Sequence, residues 1–259
     1  MTRTPSTARQ MGFTLIEMLT AMGIFLLICG AAFTLLGTSQ QRYRTESQVL
    51  NSFQEARLGL DQIVRDVNDA GFPPPAYSAG GFAFYASSPF AWSTGSGYPN
   101  TPCQIAAGGG GTCTTGTPGD TAPGDNDLII ETNPNPQDPA STVQWIRYQL
   151  QGTTLLRGVA AKQFGHDPDA DTTAQLVPFV QNVVNTASAV PIFTYTCETP
   201  TVPQLPLPLC SAAGADNSPA NIRDINITLL VATPLPDATT GKPRVVTLSG
   251  RGRRVNPNQ

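Results

Sequence analysis

Between Met18 and Gln41 this 259-residue chain carries no charged side chain, and that run is introduced by Gly12-Phe13-Thr14-Leu15-Ile16-Glu17. Phe13 to Gly37 number 25 residues, more than the roughly 20 a helix needs to cross the hydrocarbon layer. The run therefore predicts a membrane-spanning helix with one acid, Glu17, inside it. A lone carboxylate in a span costs on the order of 2.5–3.5 kcal/mol at the helix centre, so Glu17 needs a partner unless it protonates or snorkels to the interface. Ahead of the run, Arg3 and Arg9 are the only charges in residues 1–12, which keeps that leader on the cytoplasmic side. A secretory signal would be cut after its apolar part. Gly30-Ala31-Ala32 offers small residues there, so a signal peptide or a plain anchor is the competing reading.

The six residues from Gly12 to Glu17 resemble the signature shared by type IV prepilins and type II secretion pseudopilins. The basic leader, the segment length and the small residues Ala21, Gly23, Gly30, Ala31 and Ala32 fit as well. The resemblance implies that a prepilin peptidase cuts between Gly12 and Phe13 and methylates the new Phe13 amine. Cleavage changes the electrostatics, because an amide nitrogen cannot balance a carboxylate whereas a free amine, methylated or not, is a cation. A matched buried pair recovers much of what one buried charge costs. Glu17 is expected not to fold back on its own helix start without disturbing the first turn. Its partner is then the Phe13 amine of an adjacent, axially displaced subunit, and the pair sets subunit register.

Beyond the apolar run, Val49, Phe53, Ala56, Leu60, Ile63 and Val67 recur at spacings of four and three, the stripe of an amphipathic helix. Glu46, Glu55, Arg57, Asp61, Arg65 and Asp66 fall outside the stripe and are assigned to the wet face. No proline occurs from Phe13 to Phe72; Gly71 then supplies a stop and Pro73-Pro74-Pro75 enforces it. A helix from Phe13 to Ala70 would be about 85 Å long. The expected organisation is a leader over 1–12, a transmembrane helix over 13–37, the amphipathic half of the same helix over 38–72, and an extracytoplasmic β-rich domain over 73–259.

That last part is rich in proline and glycine, 24 of each in the whole chain. Leu128-Ile129-Ile130 reads as a buried strand, Val143–Leu150 and Thr154–Arg157 as a hairpin turning at Gln151-Gly152, and Ile225–Val231 as an alternating strand pairing with Arg244–Leu248. The fold class is α+β, with the long helix packed against an antiparallel sheet. Cys29 lies in the apolar run, while Cys103, Cys113, Cys197 and Cys210 suit an oxidising compartment. Of their three connectivities, Cys103 with Cys113 and Cys197 with Cys210 close the shortest loops. No CxxC spacing supports zinc or redox chemistry.

Catalysis has little to stand on, because His166 is the only histidine and no nucleophile motif surrounds it. Asp167, Asp169 and Asp171 space like the first ligands of a calcium loop. Thr172 replaces the glycine such a loop needs and Pro178 its bidentate glutamate, so a solvated acidic turn competes with a structural calcium site and no other cofactor is expected. Net charge is −3, and the only basic cluster, Arg251, Arg253 and Arg254, is no nucleic-acid footprint. Gly108–Gly111 fits no phosphate cradle. Phe82, Phe84, Phe90, Trp92 and Tyr98 form either a partner-binding patch or a layer on the sheet.

Finer likenesses narrow the expectation. Leu60 to Phe72, with its Arg65-Asp66 pair and Ala70-Gly71-Phe72 exit, resembles PilW-type minor pilins. The Tyr148–Arg157 hairpin, Val177–Tyr195 and Ile225–Val255 resemble the same group and the J-type minor pseudopilins. The implied protein is a non-enzymatic minor pilin that primes or caps a type IV pilus. Its partners would be the prepilin peptidase, other minor pilins, the major pilin, the pilus assembly platform and the inner membrane. A J-type pseudopilin of type II secretion and a pilus-borne adhesin or receptor are the alternatives.

Overall fold

The computed structural model describes residues 12–73, 86, 89–91, 125–135, 138, 141–163, 165–197, 209–210, 222–237 and 240–254. Cys103, Cys113, the leader before Gly12, Gly108–Gly111 and all of the aromatic group except Phe90 lie outside these residues.

The apolar run and the amphipathic stripe form one helix, α1, Leu15–Asn68, of 54 residues, about 80 Å long. Thr14 caps its start in an extended conformation. It ends two residues before the expected Ala70, because the Ala70 N–H turns back to Val67 O and the Gly71 N–H leaves for Glu131 O. Gly71 takes φ 81°, a left-handed conformation that glycine adopts without Cβ strain.

Only the C-terminal half of α1 is covered. Ala56, Leu60, Ile63 and Val67 are buried, with Phe53 and Val64 packed against the same core. Each fully buried Leu, Ile or Val contributes roughly 1.5–3 kcal/mol. Asp66 departs from its expected place on the wet face and is 6% exposed.

Among the described residues, seven antiparallel strands follow. β1 is Asp127–Thr132, β2 Gln144–Gln151, β3 Thr154–Ala161, β4 Val177–Val180, β5 Phe193–Cys197, β6 Ile222–Ala232 and β7 Val245–Arg253; α2, Pro168–Thr173, lies between β3 and β4. The single sheet expected from sequence is divided into two, ordered β1-β2-β3-β4 and β5-β6-β7. β4, only four residues long, ends the first sheet and meets β3 across a bulge at Leu155/Leu156. The two sheets are joined instead by a Val183–Val231 bridge and by Ile192 and Phe193 N–H groups donating to Asp125 O. The expected hairpins are present, with Gln151 opposite Thr154 and Ala232 opposite Val245.

Successive side chains of a strand point to opposite faces, and β2 uses both. Tyr148 reaches toward α1, while Trp145, Arg147 and Gln149 form a polar layer on the far side, all of it buried. Arg147 grips Asp127 with Nε at 2.9 Å and Nη2 at 2.5 Å, and its Nη1 reaches Thr173 Oγ1 at 2.6 Å and the Asp169 carboxylate on α2. Beside it, Glu131 accepts from Trp145 Nε1 at 3.0 Å and from Lys162 Nζ at 2.7 Å.

The helix sits close on β7 because that strand presents glycine where the two meet. A Cβ on Gly250 would lie 3.0 Å from Leu60 Cδ1, and one on Gly252 would lie 2.4 Å from Val67 Cγ1. The contacts ascend together, Gly250 at Leu60 and Val64, Gly252 at Val67, and the Arg253 N–H on Asn68 Oδ1 at 2.8 Å, so α1 and β7 run side by side in the same direction. Gly252→Ala is expected to destabilise the domain by about 1–3 kcal/mol through overpacking, measured by urea unfolding of the detergent-solubilised chain. Adding Val67→Ala should return part of that loss; no recovery would place the strain elsewhere.

Candidate functional site

Gly12 and Phe13 lie on non-helical backbone immediately before the cap of α1, and Phe13 is 87% exposed. The peptide bond between them is thus presented outside the helix. One residue on, Thr14 and Glu17 form a capping box, with Glu17 Oε2 accepting from Thr14 N at 2.9 Å and from Thr14 Oγ1 at 2.8 Å. The expectation that Glu17 could not fold back is corrected by this arrangement. Thr14 is extended, at φ −79° and ψ 151°, so its N–H lies outside the helical ladder and faces the third helical residue. A carboxylate there also meets the positive end of the helix dipole.

From Leu15 to Leu36 the large apolar side chains of α1 are exposed. Among the described residues it is the one helix long and apolar enough to cross a membrane, by length and composition. Cys29 stands within this stretch as a free thiol.

At the other end of α1 the helix is keyed to the first sheet. Asp66 Oδ2 accepts from Tyr148 Oη at 2.6 Å and from Arg157 Nη2 at 3.2 Å, while Gln62 Nε2 donates to Asp66 Oδ1 at 2.7 Å. Burial, and then the adjacent Asp66 carboxylate, push the Tyr148 phenol above its ordinary range. The phenol therefore stays protonated and donates. Arg157 also lies over the Tyr148 ring, 5.7 Å from its centroid, a cation–π geometry. Tyr148, on the apolar face of β2 with Ile146 and Leu150, was the sequence signal on one side of this contact; Asp66, outside the α1 stripe, gave none.

Cys197 and Cys210 form the expected disulfide, closing a loop whose length corresponds to about 3 kcal/mol of unfolded-state restriction. The acidic candidates are placed differently from expectation. The acidic trio is neither a calcium loop nor a solvated turn. Pro168 starts α2, and Asp167 caps it by accepting from Asp169 N at 3.0 Å. Asp169 turns to Arg147 and Asp171 to His166 Nδ1 at 3.1 Å. On a helix, residues two apart do not share a face, so the three carboxylates cannot converge; among the described residues no group of three or more His, Cys, Asp or Glu is placed to hold a metal ion.

The His166–Asp171 pair borders a cavity of about 420 Å³ whose lining includes Val159, Ala160, Ala170 and Ala174. The described lining offers no Ser, Thr, Cys or Lys. Strand alternation also divides the arginine cluster. Arg251 Nη2 and Arg253 Nε reach buried Asp224 at 2.5 and 3.7 Å, whereas Arg254 is itself buried. Phe90 is buried and bridges to Ile130, which places this one ring of the aromatic group against the first sheet.

Residues 8–35 match the family model described as the prokaryotic N-terminal methylation motif. The match covers the junction, the capping box and most of the apolar run, and it supports an N-terminus of the prepilin and pseudopilin class, processed by a prepilin peptidase. No curated protein and no solved structure matches the chain.

Proposed function

We propose that the chain is a minor pilin, a non-enzymatic subunit that helps start or cap a type IV pilus once its leader has been removed after Gly12. The observation that carries the reading is the junction itself. An exposed peptide bond is followed within one turn by an acid at the head of a membrane-length helix, and that helix continues into a folded domain. After cleavage the Phe13 nitrogen is a cation about one helical turn before Glu17, within reach of the Glu17 of an axially displaced neighbour. Glu17 Oε2 is engaged on Thr14, and Oε1 accepts no hydrogen bond among the described residues. One oxygen keeps the helix capped while the other receives the amine of a neighbouring subunit.

Mass spectrometry of the mature protein isolated from the producing cell is expected to find a polypeptide beginning at N-methylated Phe13. An intact Met1, or a start after the apolar run, would overturn the assignment. Deletion of the gene is expected to remove surface pili. Loss of secretion with piliation intact would instead favour the J-type pseudopilin, which shares the junction chemistry; normal piliation with lost attachment would favour an adhesin.

A further inference from the structure

The outer edge of β3 is paired over only half its length. Its ladder with β4 covers Leu155, Leu156 and Arg157, whereas β3 runs on to Ala161. The Lys162 N–H turns inward to Val143 O at 2.9 Å, and hydrogen-bonding direction alternates along an antiparallel strand. The N–H and C=O groups of Val159 and Ala161 therefore turn outward, and among the described residues no hydrogen bond reaches them there. β4 does not extend back to cover them, because Gln175 N and Leu176 N are spent on Thr172 O and Thr173 O at the end of α2.

The space beside this free edge is the cavity of about 420 Å³. Val159, Ala160 and Ala161 form one wall, and α2 forms the other through Ala170 and its C-cap Ala174. Ala161, Ala170 and Ala174 are exposed, so the edge is reached from solvent. Ala160 shares its face of β3 with Gly158, where an added Cβ would lie 2.6 Å from Thr172 O, and this is the face turned to α2. The charges on that side are acidic. Asp171, in the cavity wall, faces only the His166 ring at 3.1 Å, and Asp169 shares Arg147 with Asp127. No cation pairs with Asp167 among the described residues. Burial, and then the Asp169 and Asp171 charges, hold the Asp167 carboxyl above its ordinary value.

We propose that this groove takes up an extended segment of a partner protein, which adds to β3 as an antiparallel strand in line with β4 and carries an apolar residue flanked two positions away by lysine or arginine. A row of unpaired backbone groups calls for a polypeptide strand. Guest residues opposite Val159 and Ala161 each exchange both N–H···O bonds with the edge. The guest residue between them, opposite Ala160, points at Ala170 and Ala174, whose methyl groups leave room for a larger apolar side chain. Residues two positions to either side share that face and meet the field of Asp171 and Asp167, which favours a positive charge.

The test titrates the full-length chain in detergent with the blocked peptide Ac-Lys-Thr-Val-Thr-Lys-NH2, followed by NMR and calorimetry. Its valine is placed opposite Ala160 and its threonines opposite Val159 and Ala161. Saturable binding with a Kd on the order of 1 mM is expected, with the Val159 and Ala161 amide resonances shifting. Methylating both threonine nitrogens removes the guest's donors and should weaken binding at least about tenfold. Replacing both lysines by glutamate should weaken it by about tenfold as well. On the protein, Ala161→Pro removes an outward N–H at an edge where a strand tolerates proline, and should also cost about tenfold; Asp171→Asn should cost a smaller factor. Absence of saturable binding, equal affinity for the N-methylated or the glutamate peptide, or unchanged affinity in Ala161→Pro or Asp171→Asn would each overturn the assignment. None of these outcomes depends on whether the chain enters a pilus.

Discussion

Arg147→Met is expected to lower the unfolding free energy by about 3–5 kcal/mol, the range observed when one partner of a buried ion pair is removed. Arg147 is fully buried and engages both oxygens of Asp127, which is itself 0% exposed, together with Asp169 and Thr173 on α2. Methionine fills much of the volume but leaves the Asp127 carboxylate without its guanidinium, inside the sheet. Urea unfolding of the detergent-solubilised chain measures the loss as a lower midpoint at unchanged slope. The double variant Asp127→Asn/Arg147→Met is expected to recover a large part of it, because removing both charges removes the desolvation penalty with the attraction. If the single variant unfolds within about 1 kcal/mol of the parent, the pair is no more than a surface contact in energetic terms.

The second large effect belongs to Glu17→Gln. Glutamine at the third helical residue still completes a capping box, so the start of α1 should be preserved while the negative charge is lost. We expect normal leader removal but at least a tenfold drop in the fraction of the protein recovered with sheared filaments, equivalent to about 1.4 kcal/mol or more. Thr14→Ala is the complementary control. It removes the cap at a cost of about 1 kcal/mol to the helix yet retains the charge, so incorporation should fall far less. Equal incorporation of Glu17→Gln and parent would rule out the charge pair as the source of register.

Much of this architecture was legible in the residues because the apolar periodicities are long. The α1 stripe and the alternation of Ile225, Ile227, Leu229 and Val231 each lie on one face turned to the core, and the β2–β3 hairpin turns at the expected Gln151-Gly152. Polar residues that work inside the protein were the hardest to place. Asp66 and Arg147 look like ordinary solvated charges in a linear pattern, and only the long-range pairing of α1, β1, β2 and α2 gives them partners. Asp167 to Asp171 misled for a related reason: Pro168 turns a ligand-like spacing into a helix start. The end of the first sheet at a short β4 with a bulge beside it is a feature no periodicity announces. The Thr14–Glu17 contact could have been read from the Thr-x-x-Glu spacing, a recognised helix-start signature.

The parallel course of α1 and β7 has a mechanical consequence. A pull applied at the membrane end of α1 travels along its axis and enters the globular part through Leu60, Val64, Val67 and Asn68, beside Gly250, Gly252 and Arg253. Strand and helix are then asked to slide lengthwise past each other, so these contacts share the load at the same moment instead of opening one after another like a zip. The glycines let the two elements interlock closely, which spreads such a pull over both.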